Sequence, residues 1–88
     1  MKIEHSNRFT KNYRQRLLSN IKLKKQFQSR LALFIKNPHH PLLRDHALTG
    51  DLVGFRSFSI TGDFRLIYQV KKTTLILYDI GTHNQLYR

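Results

Sequence analysis

The second half of this chain carries two histidines, an arginine, an aspartate and a tyrosine whose side chains are able to do chemistry. His46 follows Asp45 in a loop-like stretch. An imidazole with an ordinary pKa of about 6.5 suits proton transfer at neutral pH, and Asp45 is placed to orient it. The alternative is a loop histidine that caps a turn or meets solvent. His83 follows Gly81 and Thr82, where glycine lets the backbone turn and direct the ring back across the fold; otherwise it is an exposed histidine near the C-terminus. Arg65 interrupts the apolar run from Phe64 to Val70. An unpaired guanidinium is not buried without a large penalty, so Arg65 must face solvent or an anion. Its planar fork matches phosphate oxygens, although a solvated arginine on a half-exposed sheet reads equally well. Asp63 is either a turn residue after Gly62 or part of the same chemistry. Tyr87 either packs on the helices to pin the tail or stacks and donates a proton.

Charge narrows the partners. Sixteen Lys and Arg face five Asp and Glu, a formal +11 in 88 residues. Such an excess attracts polyanions over a Debye length of about 10 Å. A nucleic acid, a ribosome or an acidic protein fits; an anionic membrane fits less well without an amphipathic anchor. Arg14, Lys22, Lys24 and Lys25 form either a solvated basic face or a surface that holds RNA with salt-sensitive affinity. Arg56 is a second phosphate candidate or a plain basic surface residue. Phe64 belongs to the core or, if exposed, stacks on a base. With no cysteine there is neither a disulfide framework nor a thiolate metal site. His39 and His40 point apart in extended chain and have no third ligand spaced nearby, so no metal site is expected. Met1–His5 lacks the apolar run of a signal peptide, and no stretch is apolar for long enough to span a bilayer, which predicts a cytoplasmic protein. The length suits one domain over 1–88 with one modest core.

The elements that must position these residues follow from periodicity. Ser6 predicts an N-cap, followed by Phe9, Tyr13 and Leu17 on one helical face. Ser19-Asn20 breaks the pattern. A second helix carries Leu23, Phe27, Leu31, Phe34 and Ile35 and ends at Asn37, before Pro38. After Gly50 the period becomes alternating: Phe55–Ile60, Phe64–Val70 and Thr74–Ile80 read as strands joined by turns at Thr61–Asp63 and Lys71–Thr73. Lys2–His5 is placed to add an edge strand. The expected fold is α+β, with two N-terminal helices packed on an antiparallel sheet of three to four strands.

Several of these segments together are similar to a known group. Leu43-Arg44-Asp45-His46-Ala47-Leu48-Thr49-Gly50, Gly54-Phe55-Arg56, Asp63-Phe64-Arg65-Leu66-Ile67-Tyr68 and Gly81-Thr82-His83 with Leu86-Tyr87 resemble the RelE/ParE superfamily of toxins, in particular its YafQ-like branch. The resemblance covers the whole chain. It implies the RelE-like fold and a toxin of a type II toxin–antitoxin pair that cuts mRNA on the ribosome. The partners implied are a cognate antitoxin, the ribosome and mRNA, with no cofactor. Cleavage would be metal-free: the 2′-hydroxyl attacks the phosphate, one group takes its proton, a cation stabilises the phosphorane and an acid protonates the leaving oxygen. The resemblance makes His83 the lead catalytic residue, with His46, Arg65, Asp63 and Tyr87 beside it. Where YafQ-like proteins place an acidic residue and a histidine after the Gly-aromatic-Arg segment, this chain has Ser57 and Ser59. A topoisomerase-inhibiting toxin of the ParE kind and a non-catalytic module binding ribosomal RNA are the alternatives.

Overall fold

In the computed structural model, which describes residues 1–87, both helix starts expected from the sequence are capped by their own side chains. Ser6 Oγ accepts from the Phe9 amide at 3.0 Å and opens α1, Asn7–Arg16. Asn20 Oδ1 accepts from the Leu23 amide at 3.0 Å and opens α2, Ile21–Lys36, which stops at Asn37. Each cap satisfies one of the amides that a helix N-terminus leaves without a partner. Phe9, Phe27 and Phe34 are buried from the two helices, while Ile35, expected in the apolar stripe, is 47% exposed and Leu33 packs against the core instead.

Five strands form one sheet in the order β1-β5-β4-β3-β2. They are β1 Lys2–His5, β2 His46–Ala47, β3 Arg56–Ser59, β4 Phe64–Lys71 and β5 Thr74–Thr82. The expected meander is present as antiparallel β3, β4 and β5. The sheet is nevertheless mixed and has more strands than expected. β1 joins β5 in parallel register, Lys2 opposite Thr74 and His5 opposite Leu77. Ser6 sets that direction: its amide donates to Leu77 O at 3.0 Å and its hydroxyl to Tyr78 O at 2.7 Å, so the residue that starts α1 also ties β1 to β5. β2 spans two residues, too few to show a period. A short α3, His83–Leu86, follows β5, in a stretch for which the sequence pattern predicts no element.

Alternation sorts the strand residues between the two faces of the sheet. Phe58, Leu66 and Tyr68 face the helices with Ile60, Phe64, Leu75, Leu77 and Ile80. Phe34 stacks on Phe58 with ring centroids 5.1 Å apart and meets Tyr68 edge-on at 4.9 Å. Ser57, Ser59, Arg65 and Ile67 occupy the other face by register.

One carboxylate ties the loop before β2 to the helix-side layer. Asp45 Oδ1 accepts from both Nε and Nη2 of Arg56, each at 2.7 Å, and Asp45 Oδ2 accepts from the Tyr68 hydroxyl. Burial, reinforced by the bond to Asp45, pushes the Tyr68 phenol well above its ordinary range. The bond to Asp45 likewise raises Arg56. Asp45 was expected to orient His46; the structure assigns it to Arg56 and Tyr68, because consecutive residues of extended chain point to opposite sides.

Two outcomes follow for stability. Asp45→Ala strips the partner from a buried phenol and from an arginine, and should lower unfolding stability by about 2–3 kcal/mol in urea. Because the native state holds the Tyr68 proton more tightly than the unfolded chain, its contribution is complete below about pH 10 and declines as pH rises above that. Urea midpoints across that range should show Tyr68→Phe losing less stability than wild type on the alkaline side.

Candidate active site

Cross-strand register brings several polar residues together on the face away from the helices. Ser59 on β3 lies opposite Arg65 on β4, and Arg65 lies opposite Gly81 on β5. One pair along, His46 on β2 lies opposite Ser57, and Ser57 opposite Ile67. Arg65 therefore stands between two small residues, serine and glycine, which leave its guanidinium room. A cavity of about 240 Å³ opens there, lined by Arg44, His46, Ser59 and Arg65. Among the described residues no carboxylate lines this cavity and none forms an ion pair with Arg65.

Two polar atoms on this face are buried without a hydrogen-bond partner among the described residues: Arg65 Nε and Ser57 Oγ. A buried donor left unpaired costs about 1–3 kcal/mol, more when charged, so such atoms mark places where something beyond folding is at stake. His46 is held by its other side. Its Nδ1 lies 3.0 Å from Arg44 O, and a carbonyl only accepts, so in the neutral ring Nδ1 carries the proton and Nε2 keeps the lone pair. Arg44 itself sits in the left-handed region at φ 48°, closing the short 3₁₀ turn Pro41–Leu43.

His83 lies elsewhere. It opens α3, whose first turn is closed by reciprocal bonds between Thr82 and Gln85 at 3.3 and 2.8 Å. The His83 amide approaches Asp63 Oδ1 at 3.4 Å, so Asp63 meets the backbone of His83, and the exposed imidazole packs 4.9 Å from the Tyr87 ring. The Tyr87 hydroxyl is buried and has no partner among the described residues. His46 and Arg65 share a cavity; His83 does not line it. β2 and β5 are three strand spacings apart, roughly 14 Å, with β4 and its Arg65 between them. Gly81 serves close approach and not a turn. It lies within β5, where a Cβ would come within 2.6 Å of Arg16 Nη1 and 2.8 Å of Gln85 Oε1.

The residues read from sequence as RNA contacts divide. Phe64 is buried in the core at 8% exposure, because alternation along β4 puts it with Leu66 and Tyr68; it is not free to stack on a base. Arg56 pairs across the sheet with Tyr68, on the face opposite Arg65, and its fork is engaged by Asp45. Arg14 lines an apolar groove of about 360 Å³ with Ile3, Tyr13 and Leu18. Lys22, Lys24 and Lys25 lie in the first turns of α2, and only Lys22 comes to a cavity that reaches the β3–β4 turn, at Thr61. Arg44 was missed; its only sequence signal was its place before Asp45-His46. Among the described residues no group of three or more His, Asp or Glu is placed to hold a metal ion.

Comparison with known proteins points one way. The family described as "Bacterial toxin of type II toxin-antitoxin system, YafQ" matches residues 1–88. No curated protein matches in sequence. Among solved structures, YafQ from E. coli strain BL21(DE3) superposes with a TM-score of 0.81 at 25% identity, over 99% of this chain and 98% of that one. A copper-bound mutant toxin from Helicobacter pylori does so at 0.80 and 33% identity, over 99% of each chain. A chain of the E. coli DinJ-YafQ toxin-antitoxin complex gives 0.78 at 25% identity, over 99% and 97%.

The contrast between the two strand arginines is measurable. Arg65→Met removes an unsatisfied buried donor and should leave the thermal midpoint unchanged or raise it, whereas Arg56→Met breaks the Asp45 pair and should lower it.

Proposed function

The chain belongs to the YafQ family of bacterial type II toxin–antitoxin toxins, and from that premise we propose that it is a ribosome-dependent mRNA endoribonuclease that works without metal. The observation that carries this reading is Arg65, which lines a cavity shared with His46 and has neither an ion-pair partner nor a bond at its buried Nε among the described residues. A phosphate there would meet a guanidinium whose other partners are missing, and a planar fork suits two phosphate oxygens.

The chemistry runs through this chain's own groups. The substrate's 2′-oxygen attacks the adjacent phosphorus while His46 Nε2, the nitrogen left basic by the Nδ1 contact, takes the 2′-OH proton. Arg65 offsets the charge that builds on the phosphorane oxygens, in a site where fixed donors need no reorganisation. The bond from phosphorus to the 5′-oxygen breaks, and His83, entering from the end of β5, protonates that oxygen. The products are a 2′,3′-cyclic phosphate and a 5′-hydroxyl. Asp63 holds the His83 backbone and Tyr87 supports the ring. A base on one flank of the phosphate and an acid on the other agree with the separation of β2 from β5, since in-line displacement places entering and leaving oxygens on opposite sides.

The partners proposed are the ribosome, mRNA and a cognate antitoxin, by likeness to the E. coli YafQ that forms a complex with DinJ. A chain of net charge +11 favours an acidic antitoxin segment. No helix among the described residues is long and apolar enough to cross a membrane, and the cytoplasm, where mRNA is translated, is the proposed place of action.

Primer extension on mRNA from an in vitro translation reaction tests this. Wild type should cut the translated mRNA, and His46→Ala and His83→Ala should each slow cutting about 10²–10⁴-fold, the usual contribution of one general acid or base. Intact mRNA with wild type, or gyrase inhibition without mRNA loss, would overturn the reading.

A further inference from the structure

Three cavities run end to end around the β3–β4 turn, each sharing lining residues with the next. The first is the one lined by Arg44, His46, Ser59 and Arg65. A second, of about 220 Å³, shares Arg44 and Ser59 with it and adds Arg30, Thr61 and Gly62. A third, of about 380 Å³, shares Thr61 with the second and reaches Lys22 at the start of α2. Four cations thus follow one another along a single path, and among the described residues no acidic side chain lines any part of it. A Cβ built on Gly62 would meet nothing within 4 Å, so the way over the turn is open. Arg30 also shapes the path: its Nη1 donates to Leu42 O at 2.9 Å and Ser59 O at 3.1 Å, which ties the loop carrying Arg44 to β3.

We infer that this path is a track for the sugar–phosphate backbone of single-stranded RNA on one side of the Arg65 cavity, with Arg44 between two successive phosphates and Lys22 at the far end. A path that bends around a hairpin turn is followed by a flexible strand; a duplex, stiff over about 150 base pairs, does not follow it. Spaced cations without an aromatic floor read backbone and not base, so the track positions the strand whatever its sequence. The inference rests on the nuclease reading only for where the cut falls.

The test uses a labelled single-stranded RNA of about ten nucleotides with 2′-O-methyl riboses, which cannot be cut by its own 2′-oxygen, titrated by fluorescence anisotropy at several salt concentrations. Arg44→Gln and Lys22→Gln should each flatten the slope of log K against log salt by about 0.7, one phosphate contact on a single strand. Arg44→Lys should restore most of it. Lys72→Gln, in the β4–β5 turn at the opposite end of β4, should leave the slope unchanged, and circular dichroism melts should show all four variants folded. Equal flattening by Lys72→Gln, unchanged slopes for both track variants, or tighter binding of a duplex of the same sequence would overturn the track. Failure of the nuclease reading shows separately: unmodified mRNA stays intact while the slopes still respond to Arg44 and Lys22.

Discussion

The Asp45 carboxylate is the constraint on which the candidate site depends. It accepts from Arg56 on β3 and from Tyr68 on β4, and so fixes a loop that has only two residues of strand to hold it. The next residue in the chain, His46, must then point to the other side of the sheet, where Arg65 lies. A single ion pair on the helix side therefore places an imidazole on the open side. The bond from Arg30 to Leu42 O and Ser59 O braces the same loop from α2.

The few acidic residues are distributed to the same effect. Of five, Asp45 pairs with Arg56, Asp79 lies 3.6 Å from Arg16, and Glu4 lies 3.4 Å from Lys2. Asp45 and Asp79 thus neutralise arginines that the fold needs. Asp79 also accepts from Asn12 at 2.6 Å, which locks α1 against the edge of β5. No comparable partner is provided for Arg65 among the described residues. A domain with so large a positive excess repels itself, and stability would favour removing that guanidinium. Its retention next to Ser57 and Ser59, with two buried polar atoms unsatisfied, is what a site kept ready for an anion looks like in free-energy terms. Serine at 57 and 59 supplies no proton acceptor; Ser59, opposite Arg65, leaves space there while its hydroxyl donates to Thr61 O at 2.6 Å.

Much of the fold was legible because local signals and burial agree. Ser6 announces the first helix, and the break at Ser19-Asn20 separates it from the second, whose cap by Asn20 went unread. Phe9, Phe27 and Phe34 fall where the period puts them. The strands from Arg56 to Thr82 show their alternation plainly. β2, α3 and the direction of β1 were not legible, since segments of two to four residues carry too little pattern to assign a partner. The site divides in the same way. Arg65 stood out because a charge in an apolar strand demands an explanation. That Arg56 serves Asp45 depends on a register between strands that spacing alone does not state, and so does the placing of Arg56 and Arg65 on opposite faces. Phe64 was readable as core from its parity with Leu66 and Tyr68. Arg44 was not, because its position depends on a left-handed residue in an irregular loop.

The most direct measurement is a crystal structure of the chain bound to a short, non-cleavable single-stranded RNA. The account predicts a phosphate within hydrogen-bond distance of the Arg65 guanidinium, with His46 Nε2 facing the neighbouring ribose. A phosphate seated instead on Lys24 and Lys25, with the Arg65 cavity empty of RNA, would contradict it.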